Sequence, residues 1–336
     1  MREIKIKMNI GVQGFASLIL KSGTIRKQNT VTNKGLSEIC CAMLDKSMPW
    51  YYFAIGIDDS NSTADEIALQ NQLKAEIQRA YFDKRKVTQD LDLNYKFVAE
   101  TQFSQNTAGY VNGLTSLIGQ EIKEVGLFNR YTEGEMIARL KKYPSLTLDY
   151  DSILGGIWEI KINVQDIFTS GGIVRKGSEL VCKSMMKFDP LIDNQNQYYD
   201  HDNEAQDYQF TPHPWGINTV SLGTGTNSTT LDTTELNTPM TDYDAPPTIT
   251  RLDLTGESSD VNYNPKVIIQ RYIPLNKIPF IIKEAGLFNV RNARLISNSG
   301  VKTNLRTMFS RVVLPAPIPA NTEAVLTWEI NFKRGA

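Results

Sequence analysis

Residues 122–129 read IKEVGLFN and residues 282–289 read IKEAGLFN, one change in eight positions. The copies start 160 residues apart (282 against 122) in a chain of 336, which points to a tandem duplication of one domain. Other segments repeat in the same order. Lys34-Gly35 before LSEICCAML answers Lys176-Gly177 before SELVCKSMM, 142 residues on. IGIDDSNSTADEIAL at 55–69 matches LGTGTNSTTLDTTEL at 222–236, and Gly56/Gly223, Asp65/Asp232 and Leu69/Leu236 share a lag of 167. MIARL at 136–140 answers MFSRV at 308–312, and WEIKIN at 158–163 answers WEINFK at 328–333. Five blocks in one order, with lags between 142 and 172, predict two copies over 1–168 and 169–336 with loop insertions between blocks.

Each half has the length of an ordinary domain and can bury its own core. Hydrophobic residues are 41% and charged residues 22% of the chain, ordinary values for a globular protein. The net charge of −1 removes the general electrostatic case for nucleic-acid binding, which needs a surplus of Lys and Arg. No apolar run approaches the length of a membrane span, and MREIKIKMNIG alternates charged with apolar residues where a signal peptide would have an apolar core. These features predict synthesis in the cytosol without membrane insertion. Cys40, Cys41 and Cys182 have no metal-ligand spacing and read as buried thiols.

In the first copy, IKIKMNIGV and FASLILK alternate around a KSGT turn, which predicts a hairpin; a short helix carrying Ile39, Met43 and Leu44 follows, with Leu180, Val181, Met185 and Met186 in the second copy. The 55–69 block reads as a strand, a polar loop and at most a short helical turn, because Pro239 follows Leu236 in the second copy. NYKFVAETQF and PKVIIQRYI mix β-branched, aromatic and polar residues at period two and read as strands. In the last block Leu326, Trp328, Ile330 and Phe332 face the core, and Val325, Thr327, Glu329 and Asn331 face away. The expected fold is mainly β: two tandem β-sandwich-like domains, each with one short helix. The second copy adds a polar, aromatic insertion at 189–215 and a long loop at 240–265.

Catalytic chemistry finds little support. Both histidines, His201 and His213, lie in the 189–215 insertion, so a nucleophilic triad would have to rest on a loop that the first copy lacks. Asp200, Asp202, Glu204 and Asp207 have neither the glycine nor the terminal Glu of a calcium loop, and Asp58 and Asp59 meet Gly225 and Thr226 in the second copy. GTGTNST at 223–229 has no lysine where a phosphate-binding loop needs one. No catalytic, cofactor or metal site is expected. In the repeated motif, Glu124 and Glu284 are expected to hold a loop or a backbone amide. Gly126 and Gly286 allow close backbone approach or a bulge, and Leu127, Phe128, Leu287 and Phe288 enter the core. Trp158 and Trp328 anchor the closing strands.

The order N-x-V-T-x-x-G, a GTG loop followed by Ser, Thr and Asp, then I-K-E-x-G-L-F-N, M-I-A-R and W-E-I resembles virion structural proteins of tailed bacteriophages. The likeness is to tail-collar and tail-fibre attachment proteins and to head-tail accessory proteins. The first copy carries it at Asn29, Val31, Thr32, Gly35, Gly56, 122–129, 136–139 and 158–160; the second carries it at 223–225, 282–289, 308–311 and 328–330. Family members usually have one such domain, and no fibre shaft follows here. The resemblance implies a non-enzymatic component of the virion, at the collar, head-tail junction, tail or capsid surface. Its partners would be other virion proteins and further copies of itself in a ring or other symmetric assembly. An alternative is a receptor- or glycan-binding module built on Tyr198, Tyr199, Tyr208 and Trp215, because exposed aromatic rings can stack on sugars. The opening residues MREIKIKM could also add a strand to a neighbour's sheet.

Overall fold

The chain opens with a strand of 19 residues, β1 (Arg2–Leu20), that pairs with strands of both halves in turn. Its first part runs parallel to the last strand of the chain, β19 (Ala324–Arg334), from Arg2 opposite Ala324 to Val12 opposite Arg334. Its second part pairs antiparallel with β9 (Ile153–Asn163) and, through the hairpin expected at KSGT, with β2 (Gly23–Val31). Alternation explains the first part: Ile4, Ile6, Met8 and Ile10 point inward and are buried, while Glu3, Lys5 and Lys7 are exposed. The N-terminal segment thus adds a strand to the second half of its own chain.

The computed structural model describes residues 1–20, 22–44, 52–58, 60–82, 84–90, 94–102, 121–130, 134–147, 153–164, 171–185, 198–199, 205–206, 208–210, 216–295 and 302–335. The remaining strands of the first half are β3 (Tyr52–Gly56), β4 (Glu76–Tyr81), β5 (Lys84–Gln89), β6 (Tyr95–Gln102), β7 (Glu121–Phe128) and β8 (Met136–Thr147). Those of the second are β10 (Gly171–Ile173), β11 (Tyr198–Tyr199), β12 (Ala205–Gln206), β13 (Tyr208–Phe210), β14 (Thr219–Gly223), β15 (Ile249–Asp253), β16 (Lys266–Ile273), β17 (Ile282–Leu295) and β18 (Lys302–Ile318). One layer runs β15-β16-β19-β1-β9-β6-β5, with β1 as the strand common to both halves. The opposing layer of the first half is β8-β7-β3-β4, and that of the second is β10-β18-β17 with β13 and β14 also paired to β17. The fold is mainly β and sandwich-like, and the β1–β19 pair is parallel while the other strand pairs are antiparallel.

The repeated sequences occupy equivalent registers. Phe53, Ala54, Ile55 and Gly56 lie opposite Leu127, Gly126, Val125 and Glu124; Val220, Ser221, Leu222 and Gly223 lie opposite Leu287, Gly286, Ala285 and Glu284. On the other side, Gly126 faces Arg139 and Gly286 faces Arg311. Register shifts fall at the same points in both copies, between Leu127 and Phe128 and between Leu287 and Phe288. Trp158 and Trp328 are fully buried at matching places on β9 and β19.

Helices α1 (Asn33–Ala42) and α3 (Arg175–Met185) fix how the halves meet; a further helix of one turn, α2 (Ala64–Ala68), follows the capping box of Thr63 and Glu66. The Thr32 hydroxyl caps α1 by accepting from the Gly35 amide and donates to the Met136 carbonyl on β8. The helix start lies so close to β8 that a Cβ on Gly35 would sit 2.0 Å from the Ile137 carbonyl, and one on Gly177 would sit 2.3 Å from that of Phe309 on β18. Each helix therefore rests on its own half and turns its other side to the opposite one. Ser37 of α1 hydrogen-bonds the Tyr263 hydroxyl at 2.7 Å, and Asn33 donates to the carbonyls of Glu257 and Asp260. From the C-terminus, Arg334 donates to the Val31 carbonyl at 2.6 Å. Reciprocally, α3 packs on β6 and β9, with the Lys176 ammonium 5.8 Å from the Tyr95 ring centroid.

One main cluster of buried apolar side chains consequently runs through both halves and includes Trp158 and Trp328. The boundary expected at 168/169 lies outside the described residues, and β1, α1 and α3 all make contacts across it. The insertion at 189–215 is described at β11, β12 and β13 alone, and Trp215 lies outside the described residues. The loop at 240–265 contains a 3-10 turn (Thr241–Tyr243), β15 and the turns that reach α1.

Candidate functional site

The two repeated motifs build two buried carboxylate–guanidinium centres. In the first half β7 carries Glu124 and the adjacent β8 carries Arg139; both side chains have no solvent exposure. The Glu124 carboxylate accepts from the Arg139 Nη2 and from the backbone amide of Ala75 at 2.9 Å. Arg139 also donates to Gln70 and to Asp58, whose carboxylate accepts from Lys141 as well. Ser60 receives Lys141 and Lys74, each at 2.9 Å. A polar loop between β3 and β4 is thus tied to the sheet by a ring of opposite charges.

In the second half Glu284 on β17 and Arg311 on β18 meet through the Arg311 Nε at 2.7 Å, again out of solvent. Here the carboxylate accepts three backbone amides: Gly225 at 3.1 Å, Asn237 at 3.0 Å and Thr238 at 2.7 Å. Arg311 also reaches the Ser228 carbonyl at 3.3 Å. The glycines opposite these carboxylates are there for space. A Cβ on Gly56 would stand 2.6 Å from Glu124 Oε1, and one on Gly223 would stand 2.5 Å from Glu284 Oε1.

Phe128 and Phe288 are fully buried, and each has a guanidinium over its ring, Arg79 at 3.7 Å and Arg306 at 3.8 Å from the centroid. Those arginines come from different strands, β4 and β18, so no repeated sequence block announces them. Arg79 is held by Glu76 and the Arg130 carbonyl, and Arg306 by Asp244, Glu235 and Ser221. Leu127 and Leu287 are buried as well, and Gly126 and Gly286 sit against the rings of Phe128 and Phe288. The motif is thus divided in the same way in each half: Leu127 and Leu287 join Trp158 and Trp328 in the main core, while Phe128 and Phe288 pack in two smaller clusters, with Met136 and Met308 respectively. Tyr198 and Tyr199 lie on β11, in a separate two-stranded sheet with β12, whereas Tyr208 lies on β13, paired to β17 opposite Leu295.

Electrostatics follow the same pattern. Burial pushes the Asp58 carboxyl up, but hydrogen bonds from Lys141 and Ser60 outweigh it and hold the group well below the usual carboxylate range. Burial pushes the thiols of Cys40 and Cys182 up, which disfavours the reactive thiolate. Among the described residues no group of three or more His, Cys, Asp and Glu could hold a metal ion, and no helix is long and apolar enough to cross a membrane. What each centre does chemically is receive the amides of a loop on a fixed carboxylate while an arginine neutralises that carboxylate. Compared with known proteins, the chain matches no protein-family model, no curated protein and no solved structure.

Proposed function

We propose that this chain is a non-enzymatic structural component of a tailed-bacteriophage virion, at the collar, head-tail junction, tail or capsid surface, and that it acts through protein–protein contacts. The single observation that carries the reading is the inward use of the repeated motif. Glu124, Arg139, Glu284 and Arg311 are at most 2% exposed and hold loops and neighbouring strands, which supports an architectural use of the repeated motif. We infer a duplication from the matching registers of β3, β7 and β8 with β14, β17 and β18. Two similar halves in one chain offer twice as many near-equivalent contact surfaces as subunits, which suits junctions between virion parts of different rotational symmetry.

Mass spectrometry of particles from a phage that encodes the chain tests the proposal. A fixed stoichiometric place in the particle is the expected result, and absence from particles overturns it. Deleting residues 193–212 separates the two roles of the insertion: failed particle assembly supports the structural role, whereas intact particles that no longer adsorb to the host support the receptor- or glycan-binding alternative.

A further inference from the structure

Eight large apolar side chains are exposed among the described residues, and six of them gather at one end of the second half. They are Met1, Ile249, Tyr272, Leu275, Phe280 and Ile281, between 40 and 81% exposed. Short contacts tie together the segments that carry them. The Tyr272 hydroxyl donates to Glu323 at 2.6 Å, and the N-terminal amine of Met1 lies 3.7 Å from the same carboxylate. The Tyr272 amide donates to Thr248, next to Ile249. Backbone hydrogen bonds between Asn276 and Asn321 and between Asn321 and Ile278 join the loop after β16 to the loop before β19. Phe280 meets Tyr243 edge to face at 6.2 Å. Arg2 donates to the Pro317 carbonyl, which brings the exposed Pro315, Pro317 and Pro319 to the same end.

Side chains of this size, about half exposed, leave on the order of 500 Å² of apolar surface in water, at the upper end for a monomer. A standard interface buries about 800 Å² per partner, and the surrounding prolines extend the patch towards that area. The rim distinguishes the occupants. A membrane-binding patch has a basic rim that meets anionic lipid. The segments that carry the patch bear Arg2 and Lys277 as well as Glu3, Asp242 and Glu323, so both signs are present. An apolar centre within a rim of mixed sign can complement itself, because a two-fold axis sets the basic side of one copy against the acidic side of the other.

We propose that this end of the second half is a homodimer contact, on which a second copy of the chain seats the same patch across a two-fold axis. The inference rests on the assembly reading for its biological sense, while its physical content is self-association in solution. The test is light scattering of the full chain across a concentration series, beside the double variant Leu275→Asp, Phe280→Asp. The wild type is expected at twice the mass of one chain. The variant is expected at half the wild-type mass with an unchanged circular-dichroism spectrum, since both side chains are exposed. A wild type at the mass of one chain throughout, or a variant that keeps the wild-type mass, overturns the contact. Co-sedimentation of the wild type, but not the variant, with phosphatidylserine vesicles would assign the patch to a lipid surface and overturn it as well. None of these results depends on whether the chain is found in particles, so failure of the contact and failure of the virion role remain distinguishable.

Discussion

Glu124 and Glu284 occupy the same register on β7 and β17, yet they are supplied differently. Among the described residues, Glu124 accepts one backbone amide and an arginine that is shared with Asp58 and Gln70, whereas Glu284 accepts three backbone amides and an arginine shared with a carbonyl. The sheets differ in the same way. The first half builds its layer on its own hairpin, while the second takes its parallel strand from residues 2–12. Strand geometry is thus kept between the halves while the sources of strand and loop change. A buried carboxylate needs donors around it, but side-chain charges and backbone amides can each supply them.

Residues 2–10 offer the largest way to break this comparison. Burial of Ile4, Ile6, Met8 and Ile10 is worth about 1.5–3 kcal/mol each, so together they rival the whole stability of about 5–15 kcal/mol of a typical domain. Deleting the segment should strip one edge of β19 and unfold the second half, or cause aggregation through the exposed edge. Loss of amide protection in β16 and β19 ahead of β5 and β6 checks it.

The arginines come next. Arg139→Met leaves the Glu124 carboxylate buried with one amide and should cost about 3–5 kcal/mol, whereas Arg311→Met leaves Glu284 three amides and should cost less. Denaturant midpoints of the two variants test the order, and equal losses would mean that the loop amides carry no weight.

The carboxylates should reverse that order by a smaller margin. In Glu124→Gln, Arg139 keeps Asp58 and Gln70; in Glu284→Gln, Arg311 keeps the Ser228 carbonyl, and the amide nitrogen of the new side chain faces a backbone donor. Removal of the second glutamate should therefore lower the midpoint more, by about 1–3 kcal/mol.

Asp58 provides the smallest effect and one confined to the first half. Because its folded-state carboxyl titrates below the unfolded value of about 3.9, its contribution is present above that pH and is lost as pH falls towards the folded value. Asp58→Asn should melt below the wild type at neutral pH, and the gap should narrow as pH drops below about 4. A gap that stays constant with pH would count against the Lys141 and Ser60 hydrogen bonds as its source.

Much of this architecture is legible in the sequence because it is local or repeated. The inward set Leu326, Trp328, Ile330 and Phe332 follows from alternation on one strand, and the IKE-GLFN motif identifies equivalent strands without any structure. Arg139 and Arg311 are present in the repeated MIAR and MFSR blocks, but they lie 15 and 27 residues from their glutamates, so spacing does not link the pairs. Cross-strand register makes that link. The partner of residues 2–12 is hidden for a related reason. An amphipathic strand fits the edge of any sheet with an apolar face, and residues 324–334 stand at the opposite end of the chain. Arg79 and Arg306 escape detection because the two rings recruit arginines from strands that do not correspond.

Native-state hydrogen exchange of the unaltered protein in rising denaturant, compared between β9 and β19, tests most directly whether two similar halves form one interlocked body. With β1 joining β9 and β19 in one sheet and each helix packed on both halves, the slowest amides of the two strands should converge on one opening free energy and one denaturant dependence. Separate isotherms, with β19 opening at lower denaturant than β9, would mean that the halves are neighbours that fold apart, and the account would be wrong.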